Sequence, residues 1–241
     1  MRWNGFEKLA SYSTPKLATV HGRRLLFSLT RQGLVAMNPK DGSVQFSRWF
    51  RSRVNESVNA ANPVVSGNQV FCSGAYYGIG SFLIDVGVDC KSFTEVWSTH
   101  ERRKKDRKLE PVLEIHWTTP ILHDGYLYAF SGRDEPDAQF RCVELKTGKI
   151  KWNREERWRA YSTKQPKVYG RGSALMADEK LFVLGEGGLL GLFEVNPEKP
   201  VELARYQIPE IRYPCWAAPI LSDKRLYIRS EDYLICFDIA K

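Results

Sequence analysis

Long apolar runs are missing from this 241-residue chain. Nothing approaches the roughly 18 consecutive apolar residues of a membrane-spanning helix, so a helical span is excluded. The N-terminus, Met1-Arg2-Trp3-Asn4-Gly5-Phe6-Glu7-Lys8, has no apolar stretch behind its first basic residue and as written does not serve as a secretory signal. The expectation is a cytoplasmic chain or one that lacks its natural start. Cysteines are few: five, at 72, 90, 142, 215 and 236, far apart and without a C-x-x-C pair. That excludes a disulfide scaffold and leaves most of them as buried small apolar residues. Amphipathic helical periodicity is absent throughout. So is any excess of Pro, Ser or like charge that would signal disorder.

Catalytic arrangements are equally scarce. No Ser-His-Asp spacing and no metal-type His cluster stands out. No Asp/Asn-rich loop places oxygen ligands at alternating positions for Ca²⁺. Gly185-Glu186-Gly187-Gly188-Leu189-Leu190-Gly191 imitates a phosphate-binding glycine loop, but it lies between two strands and opens no helix, so it reads as a hairpin. Asn55-Glu56-Ser57 is a formal glycosylation sequon, which means little without an export signal. Arg102-Arg103-Lys104-Lys105-Asp106-Arg107-Lys108 has charge enough for phosphate contacts. It lacks interleaved aromatics for base stacking, so a solvated loop is expected and nucleic acid is not.

What is present is an ordinary globular composition, 43% hydrophobic and 27% charged, with a formal net charge of +8. A chain of this length buries roughly 70 to 75% of its unfolded surface, enough for one large domain or two small ones. The positive balance favours anionic partners in general without choosing a class.

The strongest pattern is a repeat. A proline or small residue with two apolar neighbours is followed, across a turn, by an apolar-aromatic pair. The copies are Pro15-Lys16-Leu17 with Leu26-Phe27, Pro63-Val64-Val65 with Val70-Phe71, Pro120-Ile121-Leu122 with Leu127-Tyr128, Ala174-Leu175-Met176 with Leu181-Phe182, and Pro219-Ile220-Leu221 with Leu226-Tyr227. Their spacing, roughly 45 to 57 residues, is in or slightly beyond the range of propeller blades. Turns at Gly67-Asn68, Asp124-Gly125, Asp178-Glu179 and Asp223-Lys224 make hairpins of strands A and B. Strand C follows at Leu34–Met37, Phe82–Ile84, Cys142–Leu145, Leu192–Val195 and Leu234–Phe237. In the third copy Lys146-Thr147-Gly148-Lys149 turns into Ile150-Lys151-Trp152, an alternating outer strand D.

Four antiparallel strands repeated at this period cannot each bury a face alone. They stack radially, which predicts an all-β fold: a β-propeller of four-stranded blades with about five repeats over residues 1–241. A long β-sandwich gives no reason for five recurrences in one order. The fifth copy ends at Cys236-Phe237-Asp238-Ile239-Ala240-Lys241, where strand D ought to begin. The last blade is therefore expected to be incomplete, or closed by Arg2-Trp3 of the N-terminal segment.

Cys142-Val143-Glu144-Leu145-Lys146-Thr147-Gly148-Lys149-Ile150-Lys151-Trp152 resembles the tryptophan-docking motif of quinoprotein-type propellers, with Thr147, Gly148 and Trp152 in register. The first copy, Ala36 to Phe46, keeps its length, and Trp97 and Tyr206 are candidates for the outer aromatic in copies two and four. A flat ring there packs between blades while Thr-Gly makes the turn. The chain is thus identified as similar to the PQQ-binding-like repeat proteins, a family that includes PQQ-dependent alcohol dehydrogenases and the lipoprotein propeller of the outer-membrane barrel-assembly machinery. Phrases such as Glu114–Pro120, Arg141–Glu144 and Tyr213–Pro219 look closest to bacterial, planctomycete-type members. The resemblance implies seven or eight blades, of which this chain would be a C-terminal part, and a periplasmic or envelope location.

In a propeller the D-to-A and B-to-C loops emerge on one face. Loops before strand A offer Tyr12, Asn59, His116 and Trp117, Arg171, and Trp216; the B-to-C loops offer Arg31, Tyr76 and Tyr77, Arg133 and Asp134, Glu186, and Arg229 and Glu231. The candidate ligand-binding ring is Tyr12, Asn59, His116, Trp117, Arg133, Arg171, Glu186, Trp216 and Arg229. Aromatic faces and guanidinium forks suit a planar anion, and the resemblance names PQQ with its three carboxylates. The plainer reading is that the aromatics fill the mouth and the charges are solvated, with His116 packing or hydrogen-bonding. The quinoprotein dehydrogenases carry adjacent cysteines over the quinone, and no such pair exists here.

These readings predict a non-enzymatic propeller that binds or scaffolds a protein partner, or a small anionic ligand, on its loop face. No catalytic residue, metal or cofactor is expected. The alternative is a PQQ-dependent, Ca²⁺-assisted dehydrogenase or its remnant.

Overall fold

The computed structural model describes residues 11–52, 54, 57–100, 111–133, 138–154 and 168–240. Their regular structure is almost all strand, with a 3-10 turn at Tyr76–Gly78. No helix among the described residues is long and apolar enough to cross a membrane. The chain divides into two compact units, residues 1–119 with 144–149, and residues 120–143 with 150–241.

The first unit carries two four-stranded antiparallel sheets in chain order. One is β1 (Lys16–Val20), β2 (Arg23–Thr30), β3 (Gly33–Met37) and β4 (Val44–Trp49); the other is β5 (Val64–Ser66), β6 (Gln69–Gly74), β7 (Gly80–Val86) and β8 (Phe93–Ser98). Apolar residues on alternate positions of facing strands make the core: Phe27, Leu29, Leu34, Phe46, Phe50, Val70, Phe82 and Ile84 pack as one buried cluster. The second unit carries three sheets. They are β9 (Ile121–His123), β10 (Tyr126–Ser131), β11 (Gln139–Glu144) and β12 (Ile150–Arg154); β13 (Gly172–Ala177), β14 (Lys180–Gly185), β15 (Leu189–Glu194) and β16 (Glu202–Gln207); and a three-stranded sheet of β17 (Ile220–Ser222), β18 (Arg225–Arg229) and β19 (Leu234–Asp238). Tyr128, Phe140, Trp152, Leu181, Val183 and Phe193 fill the space between the first two of these, and Leu184, Ile208, Ile211, Leu226 and Ile228 serve the next pair. The fold is the all-β propeller type, with blades of four antiparallel strands. The fifth sheet shows no strand D among the described residues, and the segment Arg2-Trp3 lies outside them.

The anchor pairs read from sequence are the cross-strand partners. Leu17 faces Leu26, Val65 faces Val70, Leu122 faces Leu127, Leu175 faces Phe182, and Leu221 faces Leu226. The turns between them are tight because their central residues adopt positive φ, as in Asp124 and Gly125 (45° and 80°) or Asp223 and Lys224 (48° and 59°). This backbone matches the right-handed twist of the strands it joins.

A β-bulge recurs in the outer strand of every four-stranded sheet. The ladder slips by one residue next to the pairs Ala36–Phe46, Leu83–Trp97, Cys142–Trp152 and Leu192–Ala204. That register puts Phe46, Trp97 and Trp152 at one equivalent position and corrects the expectation for Tyr206. The equivalent residue in the fourth sheet is Ala204, and Tyr206, two residues on, is 51% exposed. In the first unit the Trp97 indole N–H donates to the Leu145 carbonyl at 2.9 Å. Its ring lies where a Cβ on Gly148 (φ +70°) would come within 3.1 Å. Thr147 stiffens that turn by donating to the Glu144 carboxylate and accepting from the Lys149 amide. In the second unit the Trp152 indole donates to the Asn196 carbonyl at 2.8 Å.

Sequence reading missed a brace tied to the same register. The arginine two residues after one outer aromatic pairs with the glutamate two residues before the next docking position: Arg48 with Glu95 in the first unit, Arg154 with Glu202 in the second. Arg48 also sits 3.8 Å over the Phe82 ring. Glu202 additionally accepts from the Tyr169 hydroxyl at 2.6 Å and from Arg205 Nε at 2.7 Å.

A candidate binding site at the loop ends

In the second unit the strand that ends at Gly185 hands the chain to Glu186, whose side chain is 1% exposed. A buried carboxylate is costly unless paired, and this one is paired several times over. It accepts from the Arg171 backbone N–H at 2.9 Å, from Arg171 Nε at 2.9 Å and Nη2 at 2.8 Å, and from the Trp216 indole N–H at 3.2 Å. Its own backbone is tied too, with the N–H donating to the Arg171 carbonyl at 2.8 Å and the carbonyl accepting from Cys215 N–H at 2.8 Å. Three loops therefore converge on one residue. Gly170 completes the fit: at φ +60°, a Cβ there would lie 2.8 Å from Glu186 Oε1.

The guanidinium of Arg171 extends from Glu186 to the surface. Nη1 donates to the Arg133 carbonyl at 3.2 Å and Nη2 to the Tyr213 hydroxyl oxygen at 3.3 Å. Tyr213 and Trp216 stand edge to face, with centroids 5.9 Å apart and planes at 89°. They are 53% and 47% exposed, so a rigidly backed aromatic pair faces solvent. Arg229 is exposed and joins the cluster through its carbonyl, which accepts from Cys215 Sγ at 3.4 Å.

In the first unit Asn59 is 2% exposed and faces inward. Its Nδ2 donates to the Thr30 and Phe50 carbonyls, both at 2.9 Å. Its carbonyl accepts from Ser11 Oγ at 2.6 Å and the Tyr12 N–H at 3.2 Å, while the Tyr12 ring is largely exposed. His116 Nε2 lies 3.1 Å from the Tyr76 hydroxyl, and its ring stacks edge-on between Tyr76 (5.1 Å) and Trp117 (4.8 Å).

Within the second unit, then, Arg133, Arg171, Glu186 and Trp216 come together, with Arg229 alongside. Within the first, Tyr12 meets Asn59, and His116 meets Trp117. Tyr213 is absent from the candidate ring read from sequence, and so is Gly170, although Gly170 lies beside Arg171 in the loop before strand A. The available clue was Tyr213 preceding Pro214-Cys215-Trp216 in one loop, yet only the Arg171 contact gives it a role. Burial raises the thiol of Cys215, and that of Cys142 to about 11, so these cysteines are inert packing groups. No group of three His, Cys, Asp or Glu side chains is placed to hold a metal ion among the described residues. Asp134 and the basic run 102–108 lie outside the described residues.

Residues 2–154 match the family described as outer membrane protein assembly factor BamB. No curated protein matches the chain in sequence. Among solved structures, BamB from Moraxella catarrhalis is similar over 89% of this chain and 54% of its own, with a TM-score of 0.56 and 13% identity. The computationally designed protein Ika8 is similar over 90% and 55% respectively, with a TM-score of 0.54 and 10% identity. The chain thus spans about half the length of these structures, and the likeness is one of fold.

Proposed function

The chain belongs to the outer membrane protein assembly factor BamB family, and from that premise we propose that it is a non-enzymatic β-propeller module that binds another protein through the loop ends of its blades. The observation that carries this reading is the Tyr213–Trp216 pair, half exposed yet fixed from behind by the buried Glu186–Arg171 ion pair. Exposed aromatics beside arginine are the composition of interface hot spots, and rigid backing lowers the entropy lost when a partner docks. A periplasmic or envelope location accords with the family.

The residues present do not suit PQQ. The guanidinium that would fork a quinone carboxylate is already bound by Glu186, and so is the Trp216 indole N–H. A tricarboxylate placed there would also face the Glu186 carboxylate, which already holds the Arg171 guanidinium.

The test is site-specific photo-crosslinking from position 213 in cells that produce the full chain. A discrete protein adduct that disappears on Trp216→Ala supports the reading. Titration calorimetry of PQQ with Ca²⁺ is the counter-test, with no heat expected. Stoichiometric PQQ binding abolished by Arg171→Ala would replace the proposal with a quinoprotein one.

A further inference from the structure

One apolar row crosses all four strands of the fourth sheet. Leu175 on β13 faces Phe182 on β14, Phe182 faces Leu192 on β15, and Leu192 faces Ala204 on β16. In the other four-stranded sheets the corresponding row ends in a ring, Phe46, Trp97 or Trp152, which is only 7 to 8% exposed. Each ring stands 6.0 to 6.5 Å from the strand B aromatic of its own sheet, and that aromatic, Phe27, Phe71 or Tyr128, is at most 1% exposed. The strand C residues of those rows, Ala36, Leu83 and Cys142, are fully buried. In the fourth sheet Ala204 is exposed, and both Phe182 and Leu192 are left half-buried. Tyr206 borders the place and leaves it open: its ring packs edge-on against Phe237 at 6.2 Å, and Phe182 keeps its exposure.

We infer that the place above Ala204 is a socket for an aromatic side chain of a partner protein, a second surface apart from the loop ends. What fits it is read from the chain itself, since three sheets with the same row close it with a ring carried on a strand. Two of those rings donate an indole N–H, Trp97 to Leu145 and Trp152 to Asn196, but Phe46 fills the place with none, so ring surface is the common requirement. A flat ring covers Phe182, Leu192 and the Ala204 methyl in one contact and meets Phe182 in an offset or edge-to-face arrangement. A leucine side chain covers less area and has no ring quadrupole to pair with Phe182. The receiving surface is already ordered. Leu192 and Ala204 are held in the strand ladder, and Phe182 packs on the buried cluster of Leu184, Leu226 and Ile228, so docking orders only the visitor. A free aromatic molecule loses its translational freedom for this one contact, whereas a ring on a protein shares that loss with the partner's other contacts.

The experiment is methyl NMR titration of the intact chain carrying ¹³C-labelled alanine, following the Ala204 methyl, whose resonance is identified by its loss in Ala204→Gly. The probes are N-acetyl-tryptophanamide and N-acetyl-leucinamide. The tryptophan probe is expected to shift the methyl saturably and to bind at least about fivefold more tightly than the leucine probe. Ala204→Trp supplies the ring from within, so it should raise the urea midpoint and weaken the tryptophan probe, read by saturation transfer to the probe, about tenfold or more. Ala204→Phe, with the ring that the first sheet uses, should do the same. Trp216→Ala should leave the affinity of the probe within about twofold of the parent, which separates this socket from the loop ends. Photo-crosslinking from position 206 in cells that produce the full chain then tests the source of the ring, with a discrete protein adduct expected that is lost in Ala204→Trp. Equal binding of the two probes, or tryptophan binding that both substitutions at 204 leave unchanged, overturns the socket. Probe binding without an adduct that depends on position 204 overturns the protein partner in favour of a free aromatic molecule. A crosslink from position 213 that still requires Trp216 keeps the loop-end reading in either case.

Discussion

At the scale of single residues, Glu186 and Glu202 carry the two most consequential charges in the second unit. Glu186 is buried and holds Arg171 in place, so removing it leaves an arginine with 14% side-chain exposure uncompensated. Glu186→Ala is therefore expected to cost about 3 to 5 kcal/mol of stability in urea unfolding. Glu202 illustrates linkage. Burial raises its carboxyl, but hydrogen bonds from Arg205 and Tyr169 and the charge of Arg154 outweigh that and hold it at about 2, against an ordinary 4.5. A carboxyl lowered on folding contributes stability that is present above pH 4.5 and is lost as the pH falls through about 2. The parent should then outlast Glu202→Gln in urea at pH 6, with the gap closing as acid is added. A gap that does not depend on pH would show that the hydrogen bonds, not the charge, matter. Neither carboxylate could be assigned a role from composition. Glu186 reads from sequence as a loop-face residue of the candidate ring within a glycine-rich hairpin, with nothing to mark it as buried, and Glu202 belongs to no motif.

At the scale of elements, the hairpins were legible because their chemistry is local. Alternating apolar residues with two turn-forming residues between them determine which side chains face each other, and every anchor pair does so. Two of those turns use residues that dislike the backbone they adopt. Glu179 and Lys224 both sit at positive φ, 57° and 59°, where Asp-Gly turns such as Asp124-Gly125 have glycine. The left-handed conformation costs about 1 to 2 kcal/mol for a residue with a Cβ, offset partly by the greater flexibility of glycine in the unfolded chain. Lys224→Gly should accordingly stabilise the chain by roughly 0.5 to 1 kcal/mol, read as a higher urea midpoint with unchanged slope. The bulge in strand D was not legible. The ladder sets Ala204, not Tyr206, opposite Leu192 next to the residue skipped at the bulge, so the docking position cannot be found by looking for the nearest aromatic.

At the scale of the molecule, a repeat of about five copies and a Thr-Gly-Trp motif pointed to the propeller class, and the family and fold comparisons agree. The net charge of +8 adds a separate, unspecific property. Retention on a heparin column should fall steeply with salt and be unaffected by Trp216→Ala, since long-range charge does not depend on one uncharged side chain. Retention that the substitution weakens would instead make Trp216 part of an anion surface.

The sequence alone determined the strand order, the hairpin partners, the repeat and hence the fold class, since each follows from short-range periodicity and turn chemistry. Its list of loop residues contained most of the side chains that gather around Glu186. Only the tertiary structure decided what they do together. Arg171 and Glu186 lie fifteen positions apart and Trp216 thirty further on, and whether an arginine meets a ligand or a buried carboxylate depends on which loops converge. That convergence is a property of sheet packing, which no local pattern encodes.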